Sequence, residues 1–176
     1  MIRHSDHFHG SDLELIEKIY GIKKENIVSF SANVNPLGIS PKLKATLAER
    51  IDAIMSYPDR DYTSLREKIA EYVKIDKDNI IVGNGSTELI SLFIQIKHPG
   101  KALIVGPTYS EYEREVSLGG GHTRYYRLEE EKGFALDIDE LEEDLTEDTD
   151  LLVICNPNNP TTTAITRNNM RKIITI

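Results

Sequence analysis

Ile80-Ile81-Val82-Gly83-Asn84-Gly85-Ser86-Thr87-Glu88-Leu89-Ile90-Ser91-Leu92-Phe93-Ile94-Gln95-Ile96 decides how the rest of the chain is read. Three β-prone residues run into a loop with two glycines, and the loop opens an apolar segment. The pattern predicts a short strand, a tight turn and a buried helix. Leu89, Leu92, Phe93 and Ile96 recur at i, i+3, i+4 and i+7, so they are expected along one inward face. With Gly85 as N-cap, Glu88 falls at N3, where its carboxylate suits the positive end of the helix. A helix start offers about four N–H groups without intrahelical acceptors, and such a site attracts an anion. The hydroxyls of Ser86 and Thr87 add donors. The loop therefore reads either as a phosphate cradle or as a plain capped turn that binds nothing.

Composition narrows the classes. The chain has 176 residues, 39% hydrophobic and 28% charged, which fits a soluble globular domain. No window approaches the ~20 apolar residues of a membrane span, and Met1–Asp6 lacks the apolar core of a signal peptide. A single cysteine, Cys155, rules out an internal disulfide and makes the cytoplasm the simplest location. The net charge of −8 argues against nucleic acid or an anionic membrane as partner. An anionic ligand must then be held by local donors. Acid is concentrated in Glu129–Asp150, which reads as a solvated face.

His4, His7 and His9 have no common metal-ligand spacing and read as an exposed polar arm, so no metal site is expected. Ser11-Asp12-Leu13-Glu14 predicts a capping box before a helix carrying Leu13, Ile16 and Tyr20 on one side, with Gly21 at C′. Ile27–Phe30 reads as a brief extended run, and Ser31–Gly38 as a polar loop. Ser40-Pro41 opens a helix whose stripe, Leu43, Leu47, Ile51 and Ile54, continues to Met55. Tyr57 and Tyr62 sit in a loop, where exposed aromatics suggest a binding surface. Ser64-x-x-Glu67 predicts a second capping box, with Leu65, Ile69 and Tyr72/Val73 inward. Ala102–Val105 is an apolar strand ending at Gly106-Pro107-Thr108-Tyr109, and Ser110-x-x-Glu113 predicts a third box, on a helix stopped by Gly119–Gly121. Thr123–Leu128 alternates as a strand, and Asp137–Leu145 is an acidic helix with Ile138, Leu141 and Leu145 packed. Leu151–Cys155 reads as a buried strand running into Asn156-Pro157-Asn158-Asn159-Pro160-Thr161, with a last helix from Thr166 or Arg167.

Strand and helix alternate from Ile80 onward, and three strands are apolar throughout. The expected fold is α/β, a mainly parallel sheet covered by helices on both faces, with an N-terminal helical arm. Ligands on such sheets bind at the carboxyl ends of the strands. Three unusual loops fall there: Gly83–Glu88, Gly106–Tyr109 and Asn156–Thr161. A dinucleotide site is disfavoured because Gly83-x-Gly85-x-x-Glu88 lacks the third glycine and no acidic residue ends the next strand. A P-loop is excluded because no Gly-Lys-Ser/Thr follows the glycines.

In their motifs and order these loops resemble the large domain of fold-type I pyridoxal-phosphate enzymes, the class I/II aminotransferase group. Phe30–Gly38, Tyr57-Pro58-Asp59-x-Asp61-Tyr62 and Tyr109–Arg114 look most like its threonine-phosphate decarboxylase branch of cobalamin biosynthesis, next its histidinol-phosphate aminotransferase branch. The resemblance covers His9 to about Arg167. It implies pyridoxal 5′-phosphate as cofactor, with Gly85, Ser86 and Thr87 on its phosphate, Tyr109 stacked on the ring and Asn159 donating to the phenolic oxygen. It implies a homodimer in which Tyr57 reaches the partner's cofactor phosphate. It also implies a phosphorylated amino-acid substrate near His9 and Asn33. By the same resemblance, residues 1–40 form an arm and substrate-side loop, and 41–176 an incomplete cofactor-binding domain. The family's Schiff-base lysine follows a Ser-x-x-Lys pattern downstream of the Asn-Pro-Thr loop, and none occurs in this sequence. No catalytic residue is therefore expected here, and the chain alone is expected not to turn over. Thr162 stands where the family has glycine, so an altered turn is expected. The competing class is a non-catalytic α/β domain that binds a phosphate ligand or serves only in assembly.

Overall fold

A computed structural model describes residues 12–30 and 35–176, which fall into two compact units dividing between Asp61 and Tyr62. His9 and Asn33 lie outside the described residues. No helix among the described residues is long and apolar enough to cross a membrane.

The first unit holds α1 (Leu13–Tyr20) and α2 (Pro41–Glu49). Asp12 caps α1, its carboxylate accepting from the Leu15 N–H at 3.0 Å, so the cap lies one residue later than the Ser11 box requires. Gly21 closes α1 in the left-handed region at φ 68°, as its position predicts. Ser40 caps α2 through the Leu43 N–H at 3.2 Å, with Pro41 in the first turn. The stripe beyond Glu49 does not continue the α-helix; Ile51–Met55 tightens into 3₁₀ turns, and Leu43, Leu47, Ile51 and Ile54 are all exposed. Ile27–Phe30 forms no strand.

The second unit is a three-stranded parallel sheet in the order β2-β1-β3, with β1 (Lys101–Gly106) at its centre, β2 (His122–Arg127) and β3 (Leu151–Val153). β1 is buried from Ala102 to Gly106, as its unbroken apolar run requires. Side chains alternate across a strand, and the two cores follow that alternation. Leu103 and Val105 pack with Tyr126, Leu128, Leu141 and Ile173, bringing α6 (Ile138–Asp144) and α7 (Arg167–Thr175) onto one face. Ala102 packs with Ile94 and Val116, bringing α4 (Ser86–Lys97) and α5 (Glu111–Leu118) onto the other. The Asp150 carboxylate accepts from the Gly100 and Lys101 N–H groups at 2.8 and 3.0 Å, pinning the start of β1 beside that of β3. The fold class is thus the expected one.

Several local expectations fail for identifiable reasons. Ile80-Ile81-Val82 is not a strand, because no strand lies beside it among the described residues. The Ile80 carbonyl instead accepts from Arg66 Nε at 3.2 Å, while Arg66 Nη2 donates to the Lys77 carbonyl at 2.8 Å. That arginine ties α3 (Thr63–Val73) to the approach of the glycine loop. On α4 the core side is Ile90 and Ile94, not the predicted Leu92, Phe93 and Ile96, which stay exposed. The glycine entry sets the helix's rotation, and an all-round apolar sequence cannot report it. Neither described Ser-x-x-Glu box forms. α3 is entered from Tyr62 with no side-chain cap, and Glu67 pairs with Lys77 at 2.9 Å. Ser110 already has helical dihedrals, and Glu113 accepts from Tyr125 at 3.0 Å and Thr123 at 3.2 Å. Of the α3 face, Ile69 is half-buried and Tyr72 exposed. β3 is half-buried and ends at Val153, two residues short of Cys155, as befits the edge of this sheet. α6 and α7 start where predicted, with Asp137 and Thr166 as caps.

Candidate functional site

The parallel sheet sends β1 and β3 into their carboxyl-end loops on the same side, and hydrogen bonds join those loops to the start of α4. Gly85 caps α4 at φ 86°, ψ 171°, a conformation open to glycine, and no atom lies within 4 Å of where a Cβ would stand. Gly83 is needed for a different reason: a Cβ there would sit 2.8 Å from Leu89 Cδ2. Glu88 turns back from N3 to accept from the Asn84 N–H. The N–H groups of Gly85, Ser86 and Thr87 have no acceptor among the described residues, and the Ser86 side chain is exposed.

Thr87 lies 3.5 Å, hydroxyl to hydroxyl, from Tyr109 in the loop after β1. Tyr109 is half-buried, with Tyr112 edge-on to it at 5.7 Å and 87° between ring planes. Burial, then a hydrogen bond with the Cys155 thiol, pushes the Tyr112 phenol up to about 12, so this supporting ring is neutral at ordinary pH.

The loop after β3 is held to the Tyr109 loop by Asn158. Its Nδ2 donates to the Pro107 carbonyl at 2.9 Å, and its Oδ1 accepts from Thr108 Oγ1 at 2.7 Å. Nδ2 also donates to Thr161 Oγ1 at 2.8 Å. Asn158 is 8% exposed; sequence reasoning singled out its neighbour Asn159 and missed it. A buried polar side chain needs partners from both directions, and a lone asparagine code gives no sign of them. Asn159 is exposed, with no hydrogen bond to another described residue. Thr162 adopts φ 61° and its N–H donates to the Asn158 carbonyl at 2.8 Å, so the turn takes the left-handed conformation that glycine adopts freely. Tyr57, in the first unit, is 93% exposed.

The residues present fit a phosphorylated aromatic ligand: free N–H groups and hydroxyls at a helix start, an adjacent tyrosine ring and an uncommitted amide. Ser86, Tyr109 and Asn159 line none of the three described cavities, and a 240 Å³ cavity near Asn158 is bounded instead by Val105, Leu128, Phe134 and Ile154. What joins the three loops is the set of contacts from Thr87 to Tyr109 and from Pro107 and Thr108 to Asn158.

The sequence model of aminotransferase classes I and II matches residues 25–176. The chain belongs to the class I and II aminotransferase family. Within that family it is similar to a threonine-phosphate decarboxylase of Salmonella typhimurium, 37% identical over 153 residues covering 87% of this chain and 42% of that one. The histidinol-phosphate aminotransferase of Clostridium acetobutylicum superposes with a TM-score of 0.73 at 31% identity, over 85% of this chain and 43% of that one. The L-threonine-O-3-phosphate decarboxylase of Porphyromonas gingivalis gives 0.68 at 28% identity, over 85% and 43%. The chain thus spans less than half the length of the aminotransferase-family relatives it matches.

Proposed function

We propose that this chain supplies the cofactor cradle of a cytoplasmic pyridoxal-phosphate enzyme acting on a phosphorylated amino acid, of the threonine-phosphate decarboxylase kind. The observation that carries the reading is that hydrogen bonds link all three loops, Thr87 at the start of α4 to Tyr109, and the neighbouring Pro107 and Thr108 to Asn158 beside Asn159. Gly85, Ser86 and Thr87 hold the phosphate by N–H and hydroxyl donation, Tyr109 covers one ring face, and Asn159 donates to the ring oxygen. When bound, the cofactor acts as the electron sink for a bond broken at the substrate Cα. The protein's part is to fix the ring's plane, because the bond held perpendicular to it is the one that breaks.

Tyr57, almost wholly exposed, suits the role of a contact offered to a second subunit's phosphate. His9 and Asn33 complete the proposal on the substrate side. The transaminase reading is supported by the higher TM-score of the histidinol-phosphate aminotransferase, 0.73 against 0.68, and the decarboxylase reading by 45% identity over 136 residues to a putative threonine-phosphate decarboxylase of Caldanaerobacter subterraneus.

The test is equilibrium dialysis against pyridoxine 5′-phosphate, whose alcohol forms no imine with surface lysines. Saturable binding that Tyr109→Ala weakens about tenfold, the worth of one good ring contact, is expected. Absence of saturable binding, or indifference to Tyr109→Ala, overturns the reading and leaves the non-catalytic α/β domain.

A further inference from the structure

We propose that Asn158 is a positioning residue: its buried amide clamps the Tyr109 loop to the Asn159 loop and sets the spacing of the two side chains that address the cofactor ring. The inference rests on the cofactor reading above and adds a residue that reading does not use. Asn158 immediately precedes Asn159, and its two partners across the gap, Pro107 and Thr108, immediately precede Tyr109. Those two bonds, 2.7 and 2.9 Å, are the only hydrogen bonds between residues 106–109 and 156–163 among the described residues.

The amide is fully committed. Both its protons are donated, to Pro107 O and Thr161 Oγ1, and its oxygen accepts from Thr108. Its own backbone closes the turn, the N–H donating to the Thr163 carbonyl and the carbonyl accepting from Thr162, each at 2.8 Å. A side chain held by three bonds and shielded to 8% exposure cannot swing, so the Cα atoms of Tyr109 and Asn159 are held in one relation. Tyr109 and Asn159 themselves are less restrained; Asn159 is exposed and Tyr109 half-buried. The order sits one residue behind the ligand groups.

A purely structural clamp would loosen the fold without a preference for the ring, and the two cases separate by experiment. Removing Asn158 itself risks unfolding, so the test cuts the clamp from its other end with the shape-preserving Thr108→Val. Thr163→Val is the control. It removes a bond of similar length inside one loop, Thr161 to Thr163 at 2.8 Å, and leaves the crossing bonds alone. Binding of pyridoxine 5′-phosphate is measured by equilibrium dialysis and stability by urea titration. Thr108→Val should weaken binding about five- to tenfold, the worth of one lost positioning hydrogen bond, and Thr163→Val less than twofold at equal loss of stability. In a Tyr109→Ala background the Thr108→Val effect should vanish, because there is no ring contact left to place. If Thr108→Val binds like wild type, or its loss persists undiminished without Tyr109, or Thr163→Val weakens binding equally, the positioning role is overturned while the cofactor reading stands. If the wild-type protein shows no saturable binding, both fall together.

Discussion

Thr162→Gly should make the protein more stable, although it removes atoms and adds no contact. Thr162 is held at φ 61°, and its N–H closes the turn onto Asn158 at 2.8 Å. The left-handed region brings Cβ against the following carbonyl at a cost of roughly 1–2 kcal/mol for an L-residue, and β-branching puts Thr162 at the upper end. The side chain is exposed and makes no hydrogen bond among the described residues, so its loss costs little packing. Against the relief stands the greater freedom of glycine in the unfolded chain, about 0.4–1 kcal/mol. The net gain is then ~1–1.6 kcal/mol; with a urea slope of about 2 kcal/mol per M the midpoint rises by ~0.5–0.8 M. Thr162→Ala, which keeps Cβ but drops the branch, should gain less than half as much. Urea titration followed by far-ultraviolet circular dichroism reads all three proteins. A glycine variant no more stable than the alanine variant, at unchanged slope, would refute the argument that this turn carries backbone strain.

Gly121→Ala should lose at least ~2 kcal/mol, since a Cβ there collides with the Pro99 carbonyl oxygen and approaches Val116 Cγ1 to 2.9 Å; an unchanged thermal midpoint would contradict the close packing of α5 on the sheet. Alkali should unfold the protein through its tyrosines. Burial first, then hydrogen bonds to Glu113 and Glu140, raises Tyr125 and Tyr126 to about 12, as burial and Cys155 raise Tyr112. Each of these phenols holds its proton more tightly folded than unfolded, so their stabilising contribution is complete below the ordinary value of 10.0 and is lost as pH rises through about 12. Tyrosinate absorbance should show three of the 8 tyrosines ionising late and together with loss of ellipticity; ionisation of all of them in one step near the ordinary value would exclude the buried phenols.

Legibility followed the physics of each signal. β1 could be read because an apolar run buried on both faces looks the same from either side, and α6 and α7 because their caps use the side chain of one residue on its own helix. The segments 83–85, 107–110 and 156–161 could be read as loops because glycine, proline and asparagine leave few regular alternatives. The Ile80–Val82 strand could not be checked from sequence, since a strand exists only with a neighbour and propensity says nothing of one. The failed boxes at Ser64 and Ser110 have the same origin. A glutamate at N3 is free to choose a tertiary partner, and Lys77 and Tyr125 won over the local backbone. Asn158 was invisible because its value lies in Pro107 and Thr108, about fifty residues away (separations of 51 and 50).

On the proposed reading, a protein of net charge −8 has to hold an anionic phosphate against its own field. The loops 83–88, 106–109 and 156–163 contain no lysine or arginine, so no cation does it there. What they contain is donors: three N–H groups at the start of α4 without an acceptor among the described residues, the helix dipole adding about half a positive charge behind them, and hydroxyls at Ser86 and Thr87. Such donors act over one hydrogen bond's length, whereas the repulsion of scattered surface acid is screened beyond ~10 Å at moderate salt. Short-range donors win at contact only if their geometry is fixed in advance. On the proposed reading, that requirement gives the glycine entry at Gly85, the Tyr109 contact to Thr87 and the Asn158 clamp a common purpose: they hold the neutral donors of these loops still.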